Sequence, residues 1–144
     1  MHFRKYIGAV ITSGNKIFIM RNEKSEWILP RVKVAEFDCE VEEIEQLFVT
    51  EFNLQAVFNK IVDDTQYEFF SLTKKAPMCN AVFWYQADSN DLSFTIKKSA
   101  KIEDGGFYDI NIALDKITYS QEKNTILKAL NYLEYRAKHR DELA

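Results

Sequence analysis

The hydrophobic period of the chain changes at residue 39, and this change limits its possible folds more than any other feature. Before it, the runs 5–12 and 16–21 are rich in β-branched and apolar residues and are separated by Ser13-Gly14-Asn15, a turn typical of a β-hairpin. From Cys39 to Phe52, apolar side chains recur at helical spacing with glutamates between them, which predicts an amphipathic helix with Asp38 as its N-cap.

The rest of the chain returns to strand patterns and ends in a second helix. A stripe that contains Ile126, Leu130 and Leu133 predicts this helix over residues 120–139. Between the helices the sequence predicts four strands, a turn, a short strand and a helical turn: 57–63, 66–72, 81–87 and 92–97, then 104–106, 107–110 and 111–116. This order predicts an α+β fold and not alternating βαβ units.

Length and charge exclude several classes of protein. The 144 residues carry a net charge of −3, which gives no general attraction to nucleic acids or to anionic lipids. The longest apolar run is far shorter than the ~18 residues that would suggest a membrane span. Cys39 and Cys79 are too isolated for a zinc site or a disulfide framework, so both are expected to be reduced. We therefore expect one domain over residues 1–144, cytoplasmic and not bound to a membrane.

Glycine is scarce, and its placement bears on phosphate binding. The four glycines are Gly8, Gly14, Gly105 and Gly106. They form neither of the glycine-rich patterns that hold phosphates at the start of a helix, which excludes a P-loop and a dinucleotide-binding fingerprint. None of them lies between residues 29 and 54.

Residues 29–54, LPRVKVAEFDCEVEEIEQLFVTEFNL, resemble the signature loop and helix of the MutT-like Nudix family. That signature is a Gly, a Glu and then Arg-Glu-hydrophobic-any-Glu-Glu-any-Gly-hydrophobic at fixed spacing, after a Trp-x-Leu-Pro approach that residues 27–30 match. Aligned without a gap, the sequence keeps Glu51 and the hydrophobic positions, and most of the catalytic residues are replaced: Val32, Asp38, Gln46, Leu47, Thr50 and Asn53. Asn53 suits the left-handed helix C-cap that the family's second Gly occupies.

Other segments resemble the same family. The hairpin around Gly8, the run 82–87 and the run 107–114 are similar to the family's opening hairpin, to the strand after the signature helix and to a late strand. The ending, residues 117–133, is most similar to members that cleave diadenosine polyphosphates. The resemblance implies a Nudix-like α/β/α sandwich, with a mixed central sheet, the signature helix and a C-terminal helix.

The resemblance also implies a chemistry. In the family, acids of the signature helix bind Mg²⁺ or Mn²⁺, which bridges the diphosphate and positions the attacking water. By that resemblance Glu51 would be the metal ligand, with Asp38 as a second catalytic acid. Because Leu47 and Thr50 replace two of the helix acids, Glu51 is left as one carboxylate, which is a poor Mg²⁺ site. A rearranged acidic set is the alternative: Glu51, Asp38 and either Glu103 or Asp104.

Fixed cations and aromatic rings are the other candidates for ligand contact. Arg31 stands beside the position of the family's diphosphate, Lys33 follows it closely, and Arg21 ends the second strand. These cations would hold a nucleoside diphosphate compound without a metal. Trp84 and Tyr85 are candidates for stacking on a base. Neighbouring residues of a strand face opposite sides, however, so these two cannot line one pocket together.

These residues support three hypotheses. In the first and favoured one, a hydrolase-like Nudix-fold protein resembles pyrophosphohydrolases of nucleoside diphosphate-linked compounds, dinucleoside polyphosphates included. Its degenerate site binds a nucleotide-type ligand or a protein partner without efficient cleavage, and no cofactor is needed. In the second, the protein is an active hydrolase that uses Mg²⁺ or Mn²⁺ at the rearranged acidic set. In the third, it is a structural or oligomerisation module, with a homodimer as one form.

Overall fold

The sheet begins with a hairpin. The structure is a computed structural model that describes residues 1–90, 92 and 101–140. β1 (His2–Ser13) and β2 (Lys16–Asn22) pair antiparallel, with Ser13 opposite Lys16. Gly14 has a φ of 61° in the turn, a conformation that glycine adopts without strain. The predicted hairpin is confirmed, although Ser13 belongs to β1 and the turn is shorter than predicted.

From α1 onward the later elements follow the predicted order, and two short strands that are not predicted precede α1. The later elements are β3 (Trp27–Ile28), β4 (Arg31–Val34), α1 (Val41–Phe52), β5 (Val57–Ser71), β6 (Ala76–Asp88), β7 (Ile102–Asp109), α2 (Ile110–Lys116) and α3 (Ser120–Lys138). Two predictions are wrong, because β5 runs unbroken where two strands are predicted, and residues 104–106 continue β7 and do not form a turn. The predicted strand 92–97 lies outside the described residues, apart from residue 92.

The strands form one mixed sheet. Its main order is β3-β2-β1-β6-β5, with β4 also paired to β1 and β7 to β2. β1 and β6 are parallel, and the other pairs are antiparallel. β1 changes partner along its length, since Lys5 to Gly8 pair with β4 whereas Thr12 and Ser13 pair with β2. The sheet therefore divides on this side of β1, between β2 and β4.

The two faces of the sheet are covered by different helices. On one face, α1 packs against an apolar core: Ile7, Ile11, Phe18, Ile44, Phe48 and Tyr85. On the other face, α2 and α3 pack against a second core: Val10, Ile17, Ile19, Trp84, Ala113 and Ile126. The alternation follows from the two-residue period of a strand and gives the predicted α/β/α sandwich. Among the described residues, no helix is long and apolar enough to cross a lipid bilayer.

The two ends of α1 test two predictions about helix caps. Asn53 lies in the left-handed region (φ 53°, ψ 34°), and its N–H donates to the carbonyl of Val49 at 2.8 Å, which confirms it as the C-cap. The prediction of Asp38 as the N-cap is wrong, because Glu40 holds that position and no side chain of the described residues caps it. The helix begins later than the glutamate pattern suggests.

Candidate functional site

Two clefts meet where the sheet divides, one toward α3 and one toward α1. Each has a volume of about 300 Å³. The aromatic cleft, toward α3, is defined by Tyr6, Tyr67, Asn80, Val82, Trp84 and Tyr119. The basic cleft, toward α1, is defined by Glu23, Lys24, Glu51, Phe52 and Lys101. Both clefts are also lined by Asn22, Ile28 and Arg31, so they adjoin at these residues.

Arg31, the first residue of β4, is held from several sides. Its Nη2 lies 2.9 Å from Glu122 Oε2 and donates to the carbonyl of Leu29 at 3.3 Å. Its Cζ lies 5.1 Å from the centroid of the Trp84 ring, a cation–π contact. The Glu122 side chain is 8% exposed, and its Oε1 accepts the N–H of Leu29 at 2.8 Å. The first turn of α3 therefore fixes the loop before β4 and offsets part of the Arg31 charge.

Trp84 reaches Arg31 across a glycine. In the sheet, Gly8 of β1 lies between Arg31 of β4 and Trp84 of β6. A Cβ atom on Gly8 would lie 2.3 Å from two atoms of the indole, so the ring uses space that any other residue would fill. Trp84 is 1% exposed, and its Nε1 donates to Thr65 Oγ1 at 2.8 Å. Trp84 thus forms the buried floor of the aromatic cleft, with Arg31 over its ring.

Tyr85 follows Trp84 in β6 and lies on the opposite face of the sheet. It is 9% exposed and packs against Phe58, with ring centroids 5.6 Å apart. Tyr85 lines neither cleft. The prediction that strand alternation separates the two aromatic candidates is confirmed.

Two of the three predicted cations lie outside both clefts. Lys33 is exposed on β4, opposite Tyr6 of β1. Arg21 Nε lies 3.6 Å from Glu103 Oε2, so Arg21 forms an ion pair at the edge between β2 and β7. Of the three cations predicted to bind a ligand, Arg31 is the one that lines the clefts.

Two lysines that no sequence motif indicates join Arg31 in the basic cleft. Lys24 comes from the turn after β2, and Lys101 immediately precedes β7. Asn22 shapes the turn, because its Oδ1 accepts the N–H groups of Lys24 and Glu26, each at 3.0 Å. The two lysines are far apart in sequence and follow no spacing rule, so the fold alone brings them together.

The acids predicted for a metal set are dispersed. Glu51 lines the basic cleft together with Glu23, whereas Asp38 is exposed before α1 and lines neither cleft. Asp104 Oδ1 accepts the N–H of Gly105 at 2.8 Å. Across residues 1–90, 92 and 101–140, no three His, Cys, Asp or Glu side chains come close enough together to hold an ion. These donors do not fit the divalent metal that the resemblance implies, because such ions need several oxygen ligands.

A further set of contacts ties the turn after β2 to the start of α3. The Tyr119 hydroxyl donates to the Glu26 carboxylate, which raises the pKa of Tyr119 to about 12 and lowers the pKa of Glu26 below its ordinary value. Beside this bond, the N–H of Trp27 donates to Thr118 Oγ1 at 2.9 Å, and the N–H of Thr118 donates to the carbonyl of Trp27 at 3.0 Å. These contacts hold one edge of the aromatic cleft.

The arrangement of strands and helices occurs in solved Nudix structures. The chain is similar to a C. elegans Ap4A hydrolase solved as a binary complex, with a TM-score of 0.66, 13% identity and coverage of 91% of this chain and 98% of that chain. The E. coli dihydroneopterin triphosphate pyrophosphohydrolase gives a TM-score of 0.67 at 11% identity. The match covers 88% of this chain and 95% of that enzyme. The NUDIX domain of Shewanella oneidensis NrtR, solved with ADP ribose, gives a TM-score of 0.68 at 12% identity. The match covers 92% of this chain and 90% of that domain.

No protein-family model and no curated protein sequence matches the chain. At identities this low, a shared architecture establishes the fold and leaves the activity open, because one fold hosts many functions. The chain has the Nudix fold.

Proposed function

We propose that this protein binds a nucleotide-type ligand through its diphosphate in the basic cleft, without a divalent metal and without efficient hydrolysis. The observation that carries the proposal is the composition of this cleft, which is lined by three cations, Arg31, Lys24 and Lys101, and by two acids. Of the acids, Glu23 comes from the turn after β2, and Glu51 is the one that the signature helix contributes. Similar structures include a domain solved with ADP ribose and two enzymes named for polyphosphate substrates. A diphosphate compound is therefore the first ligand class to test.

Donor chemistry favours fixed cations over a metal. A hard divalent ion takes several oxygen ligands, and carboxylates are their usual source. Leu47 and Thr50 provide no carboxylate beside Glu51 on the helix. A guanidinium and two ammonium groups provide N–H donors that bind phosphate oxygens directly.

Arg31 and the lysines would contribute in different ways. Glu122 and Trp84 hold Arg31 in place, so it is a preorganised donor whose charge is already partly offset. Lys24 and Lys101 are exposed, and they add charge that dissolved salt screens. We therefore expect affinity for a diphosphate to fall as ionic strength rises.

Titration with ADP-ribose and with a dinucleoside polyphosphate in EDTA tests the binding. We expect saturable binding of at least one of them. Lys24→Ala and Lys101→Ala should each raise Kd about threefold to tenfold, because each removes one charged contact to phosphate. Lys74→Ala changes the same residue type in the exposed turn between β5 and β6 and is the matched control, with no change in Kd expected. Binding that none of the cleft variants weakens would overturn the proposal.

Turnover is tested separately. The protein is incubated with a panel of nucleoside diphosphate derivatives in Mg²⁺ or Mn²⁺, and release of phosphate or nucleoside monophosphate is measured. We expect no release above that of the buffer. Efficient release that depends on the metal would overturn the proposal and support the rearranged acidic set around Glu51.

A further inference from the structure

We infer that the aromatic cleft binds the base of the same ligand and that Asn80 recognises an amino group on that base. This inference rests on the proposed function, since the diphosphate in the basic cleft positions the base. The ligand class narrows to nucleoside diphosphate compounds with an amino-bearing base.

The charged residues of the two clefts match the two ends of a nucleotide: the basic cleft suits the negative phosphates, and the aromatic cleft suits a neutral base. Among the described residues that line the aromatic cleft, the charged side chains are Arg31, Glu26 and Glu122. Arg31 lines both clefts, so the difference lies in the other charged residues: the aromatic cleft adds two carboxylates, whereas the basic cleft adds two carboxylates and two lysines. A phosphate would therefore meet more negative charge in the aromatic cleft. A neutral ring with an amino group meets no such repulsion. The electrostatics therefore direct the base to the aromatic cleft and the phosphates to the basic cleft.

The sheet gives the aromatic cleft a floor and two walls. Asn80, Val82 and Trp84 alternate on one face of β6, so their side chains stand in a row. Tyr6 of β1 lies opposite Val82, and Tyr67 of β5 lies opposite Asn80. Because neighbouring strands are about 4.8 Å apart, the two tyrosines flank the row at a lateral separation of about 10 Å. The two tyrosines are staggered along the strands, since Thr65 and not Tyr67 lies opposite Val82 on β5, so a flat heterocycle between them would lie over both Asn80 and Val82.

Asn80, in the floor of the aromatic cleft, has a side-chain oxygen that accepts no hydrogen bond from the described residues. Its Oδ1 is buried and has no hydrogen-bond partner among the residues that the structure describes. Arg4, opposite Asn80 on β1, does not donate to it, and the Arg4 Nε is itself buried without a partner within the same described part of the chain. Buried side-chain oxygens are nearly always paired in folded proteins, so this atom calls for a donor from a ligand. Tyr67, beside Asn80, is 60% exposed and stacks on Phe69 with ring centroids 5.6 Å apart, so this wall of the cleft is open to solvent.

Two related ligands test the inference in EDTA. We expect the wild-type protein to bind ADP about fivefold to tenfold more tightly than purine riboside diphosphate, which lacks the amino group, because one hydrogen bond to a buried acceptor is lost. Asn80→Leu keeps the volume but removes both amide atoms, so it should reduce the preference to less than about twofold. Asn80→Asp keeps an acceptor oxygen and should keep the preference. Asn131→Leu, on the exposed side of α3, is the matched control.

The outcomes separate this inference from the proposed function. Equal binding of ADP and purine riboside diphosphate by the wild-type protein would overturn the inference and leave diphosphate binding intact. Binding of neither compound would overturn the proposed function. A preference for ADP that survives Asn80→Leu would overturn the role of Asn80. Thermal unfolding checks that each variant is folded. If Asn80→Leu does not fold, the comparison of ADP with purine riboside diphosphate on the wild-type protein still tests the inference.

Discussion

The aromatic cleft and the basic cleft meet at Arg31 but are built in different ways. The floor of the aromatic cleft belongs to the core, with Trp84 1% exposed and Val82 4% exposed. The basic cleft depends on exposed side chains from two turns, Lys24 and Lys101. Shape in this site therefore depends on the folding of the sheet, whereas charge can change without any change in the fold. Substitutions should separate the two properties.

Filling the space over Gly8 should affect the aromatic cleft most strongly. In Gly8→Ala, the added Cβ would lie 2.3 Å from the Trp84 indole, so the ring and its neighbours must shift. We expect the free energy of unfolding to fall by about 3 kcal/mol, measured by urea denaturation. Gly14→Asn is the control, because Gly14 has open space and asparagine tolerates its positive φ. A loss below about 1 kcal/mol in Gly8→Ala would show that the ring does not need this space.

Removing Arg31 should affect both clefts, with a smaller loss of stability. Arg31→Ala leaves Glu122 buried without its cation. We expect a loss of about 2 kcal/mol, below the ~3–5 typical of a fully buried pair, because the Arg31 side chain is 25% exposed. Adding Glu122→Gln should restore most of the stability, since the amide oxygen still accepts the N–H of Leu29, but it should not restore ligand binding. A double variant as unstable as Arg31→Ala alone would contradict this explanation.

The contact between Glu26 and Tyr119 should have the smallest effect, because solvent screens both groups. The pKa of Tyr119 is raised from 10 to about 12, so its contribution to stability is present below pH 10 and is lost as pH rises toward 12. The pKa of Glu26 is lowered from 4.5, so its contribution is present above pH 4.5 and is lost as pH falls through the lowered pKa. Tyr119→Phe should remove the alkaline effect from thermal unfolding measured against pH, and it should only reduce the acidic effect, because Asn22 still donates to Glu26 at 3.0 Å. An identical pH profile in wild type and variant would count against the contact.

An element of the fold can be predicted from the sequence wherever its hydrophobic period lies within one segment of the chain. The hairpin, α1 and α3 are predicted because each pattern is complete within its own segment. β5 is not, because the polar residues 64 and 65 are interpreted as a turn between two strands. In the structure, Asp63 lies next to a register shift and accepts hydrogen bonds from Thr125 at 2.7 Å and Lys128 at 2.9 Å. Those partners are 62 and 65 residues away in the sequence, and no local pattern contains them.

The candidate site is predictable only in part, for the same reason. Arg31 and Glu51 are found because the spacing of the Nudix signature survives around them. Lys24, Lys101 and Glu122 come from a turn, a segment before a strand and the start of a helix, and they share no motif. These residues come together only in the folded sheet, at the point where β1 changes its partner and the sheet divides.

Glu51 gives the most direct test of the claim that the basic cleft binds a diphosphate without a metal. Without a metal, its carboxylate repels the ligand, so Glu51→Gln should lower Kd for ADP-ribose in EDTA by about threefold, the effect of one charge at ~6 Å in water. At equal ionic strength, the wild-type Kd should be the same in EDTA and in Mg²⁺. If Glu51 is instead a metal ligand, the wild-type protein would bind only in Mg²⁺ and Glu51→Gln would abolish binding, and that result would contradict the account.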